Sequence, residues 1–195
     1  MKPLHSYLIK PKNNRYDNIK KIGDEELILN TEFSNHLFVS RSAIVLETPS
    51  LFKSNIKKND EIIVHHNIFR RWNDVRGIER NSKNYFKDDK YFCYPDQIFL
   101  HKSGDNWNAI HGFCFVKPLK NDNEYSIEKE KALKGIVKYH DNSGLTKIGD
   151  TIGFTPWSEY EFIINDERLY RVMIKEISIK YGREKKEAEY NPSWL

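Results

Sequence analysis

Apolar residues in this chain come in short runs, about four to eight positions long, set apart by polar clusters rich in Asn, Asp, Lys, Gly and Pro. Runs of that length, rich in β-branched and aromatic side chains, predict strands, and the 3.6-residue period of a helix is almost absent. The first strand is expected over Leu4–Lys10, ended by Pro11, which has no ladder donor. Leu37–Leu46 reads as one long or two short strands. Lys58-Asn59-Asp60 reads as a turn into a strand at Glu61–His65, and Tyr91–Leu100 as strand, turn, strand. After Ser103-Gly104-Asp105-Asn106, the best break in the chain, strands are expected in Asn108–Pro118, Lys134–Tyr139 and Leu145–Phe154. Glu161–Ile164 and Leu169–Met173 form a hairpin around Asn165-Asp166, and Ile174–Ile179 follows. One charged piece, Arg183–Glu189, has helical character. The fold class expected is all-β.

One stretch breaks the pattern. Lys12–Leu37 is polar except for the run Glu25-Glu26-Leu27-Ile28-Leu29-Asn30-Thr31. Three aliphatic residues in such a setting either form a short edge strand, with Leu27 and Leu29 on one face, or are offered to a partner and become ordered on binding. Local sequence alone favours the edge strand.

The chain also repeats itself, which bears on that choice. Leu4-His5-x-Tyr7 through Lys10-Pro11 parallels Ile110-His111-x-Phe113 through Lys117-Pro118, with one residue more in the second copy. Ala43-Ile44-Val45 parallels Gly135-Ile136-Val137, and Ile56–Ile62 parallels Leu145–Ile152, again with one residue added. Asp96-Gln97-Ile98-Phe99 parallels Lys175-Glu176-Ile177-Ser178. Pro11 and Ala43 lie 32 positions apart against 17 for Pro118 and Gly135, so the second copy keeps the strands and trims the long stretch. Two units follow, 1–103 and 107–182, with a charged tail at 183–195. A segment that one copy does without is dispensable for the fold, and this shifts the reading of Leu27-Ile28-Leu29 towards function.

Each unit resembles the co-chaperonin (GroES) family. The residues that carry the resemblance are Pro3-Leu4-His5-Ser6-Tyr7 at the opening strand, Leu27-Ile28-Leu29 at the place of the family's mobile-loop run, and Lys134-Gly135-Ile136-Val137. Ile148-Gly149-Asp150-Thr151-Ile152-Gly153-Phe154 matches the family's Val-Gly-Asp-x-Val-x-Phe, loosely echoed by Lys58–Val64. Asn165-Asp166-Glu167 and Glu176-Ile177-Ser178-Ile179 match its acidic hairpin and final strand. Two glutamates stand where the family's loop has Gly-Gly, and the second copy lacks the aliphatic run, Tyr125-Ser126-Ile127 being the nearest thing to it. The resemblance implies two tandem β-barrel units, as in the double co-chaperonins of plastids or the variant co-chaperonins of large tailed phages. It implies a mobile loop at 12–37, an extended roof hairpin at 67–90, and a ring-like homo-oligomer. That ring would cap a chaperonin with ATP bound to it by inserting Leu27, Ile28 and Leu29 into its apical domains. The alternative is a virion structural or assembly protein built on the same barrel. The location expected is the cytoplasm, of the host if phage-encoded, or the virion under the alternative.

Composition narrows the rest. Among 195 residues, 38% are hydrophobic and 31% charged, enough for a modest core, and a formal net charge of +4 does not by itself argue for nucleic acid. No apolar run approaches the ~20 residues that cross a bilayer, and Met1–His5 lacks a secretory leader's apolar stretch. Cys93 and Cys114 have no ligand-type spacing, so a reducing compartment is the default. His65 and His66, adjacent on an expected strand, should face opposite ways, which argues against a shared metal. With no nucleophile motif and no phosphate-binding glycine loop, neither an enzyme nor a cofactor is expected. Between Asn67 and Asp89, basic and aromatic residues interleave in the manner of a single-strand stacking surface, but Asp74, Glu79, Asp88 and Asp89 dilute the charge. A solvated hairpin is the stronger reading and nucleic acid is not expected as a partner. Arg70, Arg71, Trp72, Trp194 and Leu195 are kept as secondary contact candidates.

Overall fold

The computed structural model describes residues 2–16, 19–23, 25–28, 38–123, 125–182 and 188–192, the side chains of 19–21 and 28 excepted. The described chain is all-β, with helix only as single 3-10 turns. It divides into two compact units, residues 1–106 and 107–195.

The first unit holds β1 (Tyr7–Pro11), β2 (Ile19–Ile22), β3 (Glu25–Ile28), β4 (Ser42–Glu47), β5 (Glu61–Val64), β6 (Arg71–Asn73), β7 (Glu79–Asn81), β8 (Tyr85–Lys87), β9 (Lys90–Cys93) and β10 (Ile98–Ser103). Its main sheet runs β10-β5-β4-β1-β9-β8, while β2-β3 and β6-β7 are separate two-stranded hairpins. After β11 (Asn106–Ala109) at the boundary, the second unit holds β12 (Phe113–Lys120), β13 (Glu130–Tyr139), β14 (Thr151–Phe154), β15 (Tyr160–Ile164), β16 (Glu167–Met173) and β17 (Ile177–Gly182). Its sheet runs β17-β14-β13-β12-β16-β15. The strands take corresponding places in the same sequential order: β1 answers to β12, β4 to β13, β5 to β14, β8 to β15, β9 to β16 and β10 to β17. The repeat read from sequence is a repeat of topology.

The register aligns the copies residue by residue. Pro11 pairs with Ala43 and Ile9 with Val45; Pro118 pairs with Gly135 and Val116 with Val137. The turn before β5 recurs before β14. The Asp60 carboxylate accepts the Lys57 N–H at 2.7 Å and Asp150 accepts that of Lys147 at 2.8 Å. The backbone N–H of Asn59 donates to Val45 O at 2.8 Å, and that of Gly149 to Val137 O at 2.9 Å. Two sequence pairings shift by one position. Cys114, not Phe113, answers to Tyr7, since Tyr7 faces Cys93 and Cys114 faces Val172. Thr146, not Leu145, answers to Ile56: both are buried whereas Leu145 is exposed, so no residue is added in that turn.

The core of the second unit gathers Cys114, Val116, Val137, Ile152, Phe154 and Val172. By register their counterparts are Tyr7, Ile9, Val45, Ile62, Val64 and Cys93, all buried. Alternation along each strand delivers these side chains to one face. The second core trades volume between positions: Cys114 and Val116 are smaller than Tyr7 and Ile9, while Phe154 and Val172 are larger than Val64 and Cys93.

Four expectations are corrected. Among the described strands the pairing runs as open sheets that do not close into barrels, because β8 and β15 stand at one end of their orders, unpaired with the other. The second copy's strand does not end at Pro118 but runs on to Lys120, whereas Pro11 closes β1 as expected: the Lys12 N–H donates to Ser42 O at 3.0 Å, so Pro11 turns its nitrogen from β4 to the side where pairing with β9 has stopped at Ile9. Residues 67–90 form not one extended hairpin but two, β6-β7 and β8-β9, because Asp88 and Asp89 take up φ of 48° and 54° and turn the chain a second time. In the C-terminal stretch expected to be a charged tail, the described residues are held against β12. The Lys120 N–H donates to Ala188 O and the Tyr190 N–H to Pro118 O, each at 2.8 Å, and Glu189 is a β-bridge rather than helix. Glu189 also reaches the Lys117 ammonium at 3.2 Å, which Glu167 holds at 2.9 Å. Burial alone would lower the Lys117 pKa; the two carboxylates outweigh it and raise it.

Candidate functional site

Two insertions distinguish the first unit from the second, and both carry candidate residues. The first lies between β1 and β4 and contains the β2-β3 hairpin, where Ile22 pairs with Glu25, Lys20 with Leu27 and Ile19 with Ile28. Gly23, at φ 64°, makes the tight turn. A glycine is thus supplied in the turn that leads into β3, two positions before Glu25. Cross-strand partners share a face, so Ile22 and Leu27 lie on the same side of the ribbon, 60% and 52% exposed. Glu25 and Glu26 are exposed beside them. Leu27 therefore sits in a strand, as the plainer reading had it, but in a ribbon of its own and not at the edge of the main sheet. The Ile28 backbone is in the ribbon; its side chain, with Leu29, Trp194 and Leu195, lies outside the described residues.

The stem of this insertion is fixed. Tyr16 is buried and bridges Val39, and the Ser40 N–H donates to Arg15 O at 3.1 Å. The Arg15 guanidinium donates to the carbonyls of Phe69 and Arg70, and lies 5.4 Å from the centroid of the Tyr91 ring. Sequence reading passed over Arg15 and Tyr16; nothing in a polar run marks two residues that find partners 55 positions away.

The second insertion runs from the turn at His66–Ile68 through β6 and β7. Alternation separates the three neighbours singled out from sequence. Arg71 turns to the stem, with its guanidinium 5.1 Å from the Tyr16 ring centroid and 3.3 Å from Glu79. It is packing, not a free contact. Arg70 and Trp72 share the other face and line an open recess of about 650 Å³. His65 and Asn67 line it too, as do Ser82, Asn84 and Gln97, which are tied together by hydrogen bonds from Ser82 Oγ to Ile68 O and from Asn84 Nδ2 to Gln97 Oε1 at 2.9 Å. The two histidines do not face opposite ways. β5 ends at Val64, His65 opens a 3-10 turn with its Nδ1 accepting the Asn67 N–H at 3.1 Å, and the rings stack 4.4 Å apart.

The second unit has its own recess, of about 440 Å³, around Glu130, Arg168 and Tyr170. The Tyr170 hydroxyl donates to Glu130 at 2.7 Å, and Arg168 reaches Glu130 at 3.4 Å and Glu161 at 3.5 Å. The carboxylates of Glu130 and Glu161 are thus taken up within the recess, while Arg168 Nε and Glu159 Oε2 are buried without a hydrogen-bond partner among the described residues. Burial lifts the thiol pKa of Cys93 and pushes that of Cys114 up to about 12, so neither is a ready nucleophile at neutral pH. Among the described residues no group of three or more His, Cys, Asp or Glu could hold a metal, and no helix is long and apolar enough to cross a membrane. No family model matches the chain, and no curated protein matches it in sequence.

Proposed function

We propose that the chain is a co-chaperonin-type lid built from two tandem GroES-like units, and that the insertion of the first unit is its contact with a chaperonin. The observation that carries this reading is a difference between the copies. Both complete the same six-strand order, but among the described residues only the first interrupts it between β1 and β4 with a ribbon that exposes Ile22 and Leu27. An apolar pair that a sheet does not need, held out on a braced stem, is the profile of a segment that meets a partner. The residues of the GroES resemblance support the same reading by their places: Lys134-Gly135-Ile136-Val137 on β13, Gly149-Asp150 in the turn before β14, Asn165-Asp166 between β15 and β16, and Glu176 through Ile179 leading into β17.

In this mechanism Leu27, with Ile28 and Leu29, inserts into apolar grooves of the ATP-bound chaperonin's apical domains. Full burial of each side chain yields roughly 1.5–3 kcal/mol, much of it consumed by ordering the segment. One contact is weak, and several around a homo-oligomeric ring act together through effective concentration. A lid held this way comes off when hydrolysis changes the chaperonin. The test is co-sedimentation with a chaperonin in the presence and absence of ATP. ATP-dependent complex formation that Leu27→Asp abolishes is expected; a chain that never joins the chaperonin overturns the reading and favours an assembly role.

A further inference from the structure

The recess on the second insertion is independent of the lid reading and calls for a ligand of its own. Its walls are dominated by donors. Arg70 enters no ion pair among the described residues, and its Nε is shut off from solvent with no hydrogen-bond partner. Lys83, exposed on the same recess, has no ion pair among the described residues either. Trp72 presents an indole, 42% exposed, on the same face as Arg70 by strand alternation. Three of the four acids that dilute the charge of this stretch in sequence are engaged elsewhere, and the fourth, Asp88, is exposed and does not line the recess. Asp74 is held by Arg80 at 3.0 Å and by the N–H groups of Arg76 and Ile78, Glu79 by Arg71 at 3.3 Å, and Asp89 accepts the Tyr91 hydroxyl at 2.9 Å. Of the recess-lining residues only Asp96 carries a negative charge.

We propose that this recess binds a nucleotide unit, its phosphate on Arg70 and Lys83 and its base stacked on Trp72, whether as a free nucleoside phosphate or as part of a single strand. A guanidinium fork suits a phosphate by bidentate geometry, and an exposed indole accepts any base by its π-face. A carboxylate ligand would use the same cations but leave the indole idle. The second unit completes the same strand order with only residues 155–159 between β14 and β15, so the β6-β7 hairpin is not needed for the fold.

The experiment titrates the full chain with ATP, adenosine, inorganic phosphate and an oligodeoxyadenylate by calorimetry, with an acidic peptide as comparator. Saturable binding of ATP or the oligonucleotide is expected, weakening as salt rises. Arg70→Gln and Trp72→Ala should each weaken it about tenfold, and Trp72→Phe should restore most of the loss. Equal affinity for ATP and the oligonucleotide assigns a mononucleotide site; tighter binding of the oligonucleotide assigns a single strand. Unfolding midpoints check the variants, and Lys83→Gln, on an exposed side chain, keeps the test readable if Trp72→Ala unfolds. The proposal is overturned if neither nucleotide binds saturably, if phosphate alone binds as well as ATP, if the variants bind as the parent does, or if only the acidic peptide binds.

Discussion

The hydroxyl of Tyr16 accepts the backbone N–H of Arg71 at 2.9 Å, joining the stem of one insertion to the base of the other. With Arg15 on the carbonyls of Phe69 and Arg70, this makes a single joint under both candidate surfaces. Removing the oxygen leaves a part-buried donor unpaired, at a cost of about 1–3 kcal/mol. Tyr16→Phe should therefore speed hydrogen exchange at the Arg71 amide while Val137 in the second unit keeps its protection. Equal loss in both units would show that the joint is not local.

A second prediction concerns the repeated turn. Asn59 and Gly149 occupy the same place, at φ 70° and 86°. Nothing lies within 4 Å of where a Cβ at Gly149 would be, so the constraint there is backbone conformation and not space. Left-handed backbone costs an ordinary L-residue about 1–2 kcal/mol, and asparagine less. Gly149→Ala should cost about that much, Gly149→Asn clearly less, and Asn59→Gly little, all read from denaturant midpoints.

Those two turns also show what sequence could reveal. The pairing of Asn59-Asp60 with Gly149-Asp150 was visible because both members need local chemistry, a positive φ and a side-chain acceptor, that few residues supply. The strands around them were visible from their apolar runs. Register inside β1 and β12 was not, because Tyr7 and Phe113 look alike while the true counterpart of Tyr7 is Cys114, and only cross-strand partners decide that. The separation of Arg71 from Arg70 and Trp72 needed the strand's phase, which three polar and aromatic neighbours do not announce. The docking of residues 188–190 on β12 depends on an edge left open after Val116, which no local pattern encodes.

Ala43 and Gly135 occupy equivalent places, and the second has no room for a methyl group. A Cβ there would sit 2.9 Å from the Lys117 carbonyl oxygen and 3.1 Å from Val116 Cβ. Gly135→Ala should destabilise the second unit by about 1–3 kcal/mol, the usual cost of overpacking, although alanine is the native and fully buried residue at the same point of the first. Thermal unfolding of the variant checks this. A neutral result would mean that β12 can slide away from β13.

By contrast, Leu27→Asp should leave stability within about 0.5 kcal/mol, as expected for an exposed site outside the main sheet. This makes it a clean probe of partner binding. A large drop in the unfolding midpoint would place Leu27 in a packed contact instead.

The last prediction follows from another substitution between the copies. His101 on β10 answers to Lys180 on β17, since they pair with Ile62 and Ile152. Lys180 stays exposed enough to reach Asp150 at 2.7 Å. His101 is buried, and its Nδ1 has no hydrogen-bond partner among the described residues. Burial pushes its pKa down, outweighing the opposite pull of Asp60. The native state thus holds the neutral ring, while the unfolded chain takes up a proton as pH falls through about 6.5. The unfolded state then binds more protons, so stability is full above that value and declines as pH drops towards the depressed native pKa. The slope is at most about 1.4 kcal/mol per pH unit for one group. Asp141 and Glu167, whose pKa values are lowered because hydrogen bonds and neighbouring cations outweigh burial, add a loss in the same direction only below the ordinary carboxylate range. Denaturation at pH 7.5, 6 and 5 should show the parent chain weakening across the histidine window and His101→Gln holding level. A variant that keeps the slope would assign the proton to another group.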